Sequence, residues 1–189
     1  ETALHLTISD ASVDIRSGST LTLGNSLQLG ISNNTTSVFN NYGSINVLGT
    51  FTLAKAASSN TIFNMQGGDA NVNILKLGGN AAIGTGLLNL TGGDFTAGSV
   101  LFGTDDDKKT ISISGDASFT VTNLSDLAAL QALFVDLDKI STESLGGSSY
   151  KFTAVSESES VATPEPSSCA LLMLGLAGLV FGRRNKIKC

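Results

Sequence analysis

Residues 61–79 read TIFNMQGGDANVNILKLGG, and residues 86–103 read GLLNLTGGDFTAGSVLFG. Laid over one another, Gly67-Gly68-Asp69 falls on Gly92-Gly93-Asp94, with short alternating apolar runs on either side. Outward from this pair the rhythm persists. Upstream stand LTISDASVDIRSGSTLTLG (6–24) and SVFNNYGSINVLGTFTLAK (37–55), and downstream TISISGDASFTVTN (110–123). Phe39-Asn40 corresponds to Phe63-Asn64, and Gly115-Asp116 continues the glycine-aspartate series. A period in the twenties with strand-like alternation marks a solenoid, in which each repeat buries its apolar side only by stacking on its neighbours. Val13, Ile15, Leu21 and Leu23 alternate with polar residues as half-buried strands do. Glycine and asparagine at the corners accept a positive φ.

The fixed Leu/Asn ladder of a leucine-rich repeat is missing, so the expected fold is all-β, a right-handed parallel β-helix. An antiparallel β-sandwich is also compatible with turns every 8 to 12 residues or so. The recurrence of similarity at the period of a whole turn favours the β-helix.

Composition agrees. The 189-residue chain holds 21 glycines, 14% charged residues, 6% aromatics and no tryptophan, yet 41% of it is hydrophobic. That is too apolar for disorder, and the polar share lies in small turn-forming residues. The net charge is −5, with Arg183, Arg184, Lys186 and Lys188 crowded at the end, so the body is more acidic still. An acidic body excludes the basic footprint of nucleic-acid binding. The first residue is Glu1, which reads as a mature form or a fragment.

NLSDLAALQALFVDLDKI (123–140) breaks the strand pattern. Ser125 is placed as an N-cap and Asp126 in the first turn, with Leu127, Leu130, Phe134 and Leu137 at helical spacing. These predict a short capping helix over about 126–139, which closes the end of the solenoid. SSYKFTAV (148–155) predicts one more strand on an open edge.

Catalytic constellations are sparse. His5 is the only histidine, so a Ser-His-Asp triad or a His-based metal site would have to pass through it. Asp69, Asp94 and Asp116 sit at corresponding corners, where aspartate more often makes a turn hydrogen bond than serves as one of paired catalytic carboxylates. Asp105-Asp106-Asp107 lacks the alternating ligand spacing of a calcium loop and reads as a solvated turn, with calcium binding left open. Cys169 and Cys189 are the only cysteines, so the body has no disulfide framework. The expectation is a non-enzymatic protein with no catalytic residues, no metal and no cofactor.

The last stretch, VATPEPSSCALLMLGLAGLVFGRRNKIKC (161–189), is built differently. Residues 156–166 form a polar, acidic, proline-marked linker. Cys169, Leu171, Leu172, Leu174, Leu176, Leu179 and Phe181 belong to an uncharged apolar run. As a helix, 167–182 would reach about 24 Å against a bilayer core of about 30 Å. Arg183, Arg184, Lys186 and Lys188 would snorkel to lengthen the span and hold that end on the cytoplasmic side, leaving the body outside. Pro164, Glu165 and Pro166 would then lie extended at the outer membrane surface.

Motif, span and basic tail together resemble the C-terminal sorting signal of PEP-CTERM proteins. The resemblance covers about residues 163–186. It implies recognition by an exosortase, a membrane protease or transpeptidase of Gram-negative bacteria. It also implies export from the inner membrane to the cell surface, in a setting of biofilm or extracellular polysaccharide. Pro164, Glu165 and Pro166 carry over as the sorting motif, 169–181 as the membrane anchor, and Arg183 and Arg184 as the basic stop. The body is similar to the β-helical passenger repeats of autotransporter-type surface proteins. The expected division is a repeat region over 1–123, a helical cap and final strand over 124–155, the linker over 156–166, and the membrane segment with its basic tail over 167–189. Two other readings stay open: an exported polysaccharide-active enzyme on the same scaffold, and a permanently anchored periplasmic domain.

Overall fold

The computed structural model describes residues 5–77, 84–103 and 109–155. The chain divides into two compact units, Glu1–Val155 and Ser156–Cys189. Within the first, the strands run in order β1 (His5–Ile8), β2 (Ser12–Ile15), β3 (Thr20–Leu23), β4 (Ser26–Leu29), β5 (Thr36–Asn41), β6 (Ser44–Leu53), β7 (Asn60–Leu77), β8 (Thr85–Phe102), β9 (Lys109–Ile113) and β10 (Ser118–Asn123). After helix α1 (Leu127–Gln131) come β11 (Ile140–Gly146) and β12 (Ser149–Ala154).

From β1 to β10 every pairing is parallel, which makes the body a β-solenoid of about four turns and not a hairpin sandwich. Three faces result. The first stacks β1, β4, then 50–53, 74–77 and 99–102. The second stacks β2, 38–41, 62–65, 87–90 and 110–113. The third stacks β3, 44–47, 69–72, 94–97 and 118–121. β7 and β8 are each 18 residues long because each runs through all three faces, its ladder shifting register at the corner between the second and third.

Those corners explain the repeated glycines. Gly68 and Gly93 have φ of +67° and +80°. A Cβ on Gly68 would collide with the carbonyl of Gly43, and one on Gly93 with the carbonyl of Gly68. Each position therefore requires glycine twice over, for its backbone conformation and for the close approach of the turn below.

The inward positions fill the core. Leu27, Phe51, Leu75 and Val100 follow one another on the first face. Phe39, Phe63, Leu88 and Ile111 do so on the second. Ile45, Ala70, Phe95 and Phe119 do so on the third. All of these are buried. Bulk passes from wall to wall along the axis: Phe51 and Phe63 face Ala70, and one turn later Phe95 faces Leu75 and Leu88. Large against small at each level keeps the interior at close-packed density. The rings touch in series, with centroids 5.4 Å apart for Phe39–Phe63, 5.9 Å for Phe63–Phe95, 5.6 Å for Phe95–Phe119 and 5.9 Å for Phe119–Phe152.

The outer side of the second face carries a chain of carboxamides. Asn40 Nδ2 donates to Asp14 Oδ1 at 2.7 Å, Asn64 Nδ2 to Asn40 Oδ1 at 2.8 Å, and Asn89 Nδ2 to Asn64 Oδ1 at 3.0 Å. Asn40 and Asn64 each both give and receive along the axis. Asn64→Ala removes two of these bonds and strands two half-satisfied neighbours. The expected cost is about 1–2 kcal/mol, measured by urea unfolding, with no change in the far-UV spectrum.

The cap differs from the expected 126–139 helix. The helix spans only Leu127–Gln131, and its N-cap is Asp126, not Ser125: the Asp126 carboxylate accepts from the Ala129 N–H at 2.9 Å. The helix stops because Phe134 is needed elsewhere. The Ile111 N–H donates to Leu133 O and the Val135 N–H to Ile111 O, so 133–135 lies as a short parallel strand on the last turn. There Phe134 packs on Phe152 at 5.1 Å. β12 is the further strand expected on an open edge over 148–155; it pairs antiparallel with β10, and β11 pairs antiparallel with β12. The last turn thus has its ladder covered on two faces, and the open edge of the sheet passes to β11.

Candidate functional site

Two kinds of candidate stand in the sequence: side chains on the solenoid, and the C-terminal signal. On the solenoid, His5 leads. Its Nδ1 lies 2.8 Å from Ser26 Oγ, and its Nε2 lies 3.1 Å from Asn25 Nδ2. An amide nitrogen only donates, so Nε2 accepts and Nδ1 carries the proton. Nδ1 then donates to Ser26 Oγ, which is the reverse of a general base taking a proton from a nucleophile. His5 in this arrangement ties the first turn to the second.

The three corner aspartates do not form one column. Asp69 and Asp94 are register partners on adjacent turns. Asp94 in turn pairs with Ser118, and its carboxylate accepts from the Ser118 hydroxyl. Asp116 stands two positions earlier in the chain, beside Gly92. The repeated Gly-Asp pair misleads because the last corner takes a different path: Gly115 has a φ of +63° and lies over the Thr91 carbonyl. Arg16 is exposed at the turn between β2 and β3. Asp105, Asp106 and Asp107 lie outside the described residues. Among the described residues no group of three or more His, Cys, Asp or Glu side chains gathers as for a metal ion.

Sequence reading missed one charged core residue. Lys109 is buried, and its ammonium donates to the Gly84 carbonyl at 2.6 Å. It occupies the inward column that begins Ser37, Thr61 and Gly86. Gly86 has no side chain, and that column holds small or polar groups below Lys109. Nothing in the local sequence marks Lys109 as internal, because it directly follows the charged run 105–108.

The body ends in a fixed position. The Val155 N–H donates to Lys139 O at 2.8 Å, so the chain is held at the cap up to its last described residue. Beyond it, Pro164, Glu165, Pro166, the apolar run from Cys169 to Phe181 and the basic residues Arg183, Arg184, Lys186 and Lys188 all lie outside the described residues. So does the membrane helix expected over 167–189. Among the described residues no helix is long and apolar enough to cross a membrane.

The family model for the PEP-CTERM protein-sorting motif matches residues 162–186. No curated protein and no solved structure matches the chain. The chain therefore carries a PEP-CTERM sorting motif at its C-terminal end, downstream of a β-solenoid. The motif is one that exosortase recognises, and it implies a membrane-associated sorting signal and export to the cell surface.

Proposed function

We propose that this chain is a non-enzymatic surface or extracellular-matrix protein, sorted by exosortase and built to display a rigid right-handed β-helix in a biofilm or polysaccharide matrix. The observation that carries the reading is the sorting-motif match at 162–186. Right-handedness follows from the hand of parallel strand crossovers in general. Pro164, Glu165 and Pro166 form the recognised peptide, 169–181 spans the inner membrane, and Arg183, Arg184, Lys186 and Lys188 hold the cytoplasmic end. The body faces the periplasm until cleavage near Pro164–Pro166 releases or transfers it. The solenoid supports a display role through its parallel ladders and continuous aromatic core, which make each turn stiff against its neighbours.

The test uses one epitope tag before Val161 and one after Cys189, in a host with and without the matching exosortase. Membrane and medium fractions are blotted for both. The tags are expected to separate only when the enzyme is present. If both tags remain together in the membrane with the enzyme active, the tail is a permanent anchor and the sorting role is refuted.

A further inference from the structure

The solenoid carries two columns of asparagine with opposite habits. On the second face Asn40, Asn64 and Asn89 satisfy one another. At the corner between the third and first faces, Asn46, Asn71 and Asn73 point outward, and among the described residues their carboxamides make no hydrogen bond. They line a shallow groove of about 400 Å³ that crosses successive turns, together with Leu48, Thr96 and Thr122. Asn46, Asn71 and Thr96 are register partners, so their polar groups repeat along the solenoid axis at about 4.8 Å. Leu48 is 57% exposed and gives the groove an aliphatic wall. No charged residue lines it, in a chain whose net charge is −5.

We infer that this groove binds a single strand of a neutral polysaccharide, laid along the solenoid axis. Each free carboxamide offers both donors and an acceptor, which is what sugar hydroxyls require, since they too do both. An aliphatic wall suits the C–H face of a sugar ring. The rung spacing is close to the rise of one sugar in an extended chain, so one unit meets each turn. A peptide strand finds no purchase here, because the backbone beneath the groove is already paired on both sides. A polyanion is repelled, because Asp69 and Asp94 stand two residues before Asn71 and Thr96 on the same outer face. The inference rests on the matrix reading above for its setting, and its geometry is independent of the tail.

Affinity electrophoresis of the full chain, in a sugar-free detergent, tests it. Native gels are cast with glucomannan, hydroxyethylcellulose, arabinoxylan or alginate, or with none. At least one neutral polysaccharide is expected to retard the band, and alginate is not. The double variant N71A/N73A is expected to weaken retardation at least tenfold while keeping the wild-type circular dichroism spectrum. N64A, outside the groove, is expected to keep it. No retardation by any neutral polymer, equal retardation by alginate, or an unaltered N71A/N73A double variant overturns the inference. So does a shift in the polymer-free gel that the double variant abolishes, which would assign the groove to a second copy of the chain. The assay contains no exosortase, so its failure leaves the sorting role standing, and failure of the tags to separate leaves the groove standing.

Discussion

Glu165→Ala is expected to leave the two epitope tags joined, with the uncleaved chain in the membrane fraction. Pro164 and Pro166 lack backbone N–H donors and fix φ near −65° or so, so the peptide around Glu165 offers an enzyme few backbone donors. The carboxylate is the single charged group between the two rings, and a cationic site reading it would be left unpaired by alanine. Truncating one partner of such a desolvated charge pair costs about 2–5 kcal/mol, enough to reduce processing by roughly 30-fold or more. Glu157→Ala, upstream of the matched residues 162–186, is the control and should be processed normally. If Glu165→Ala matures at the wild-type rate, the match at 162–186 does not act through its acidic residue.

The second large effect lies in the core. Phe95→Ala is expected to cost about 3–5 kcal/mol, against a total stability of about 5–15 kcal/mol for a typical domain. Phe95 is fully buried and meets Phe63, Phe119 and, at 6.4 Å, Phe51. It also fills the third wall at the level where the other two walls carry the smaller Leu75 and Leu88. Urea unfolding with the exposed Leu48→Ala as control measures this, the control staying within about 0.5 kcal/mol of wild type. Because a solenoid is coupled turn to turn, hydrogen exchange should accelerate first in 60–77, 85–102 and 109–123, which line the cavity. A uniform loss of protection would show instead that the turns unfold as one.

The body was legible where the sequence obeys a rule at a fixed period. Gly68 and Gly93 mark corners because nothing larger fits there, and the alternation around Phe39, Phe63, Leu88 and Leu90 follows from one face being buried. Parallel pairing follows from the same period, since equivalent residues in successive turns come to lie side by side. The cap was less legible. Leu127, Leu130 and Phe134 do recur at helical spacing, yet Phe134 serves the ladder above Ile111, and this tertiary contact ends the helix at Gln131. β11 gave no signal because almost all of it is exposed, so no buried face imposes alternation. Asp116 shows how a repeated motif outlives its register: the letters recur, but Ser118 takes the place beside Asp94. The free and paired asparagines cannot be told apart from the sequence, since Asn64 and Asn71 differ only in which face they occupy.

The antiparallel laying of β12 on β10 has a mechanical consequence. Between successive turns the hydrogen bonds run along the axis and sit side by side, so a pull along that axis loads a whole interface together. A pull on residue 156 in the same direction meets a different joint. It strains the Val155–Lys139 bond alone, then the pairing of Ala154 with Ile140 and of Thr153 with Ser118, each bond failing before the next is loaded. The cap is thus loaded one bond at a time as far as Phe152, whose buried ring, packed on Phe119 and Phe134, is the next thing to resist.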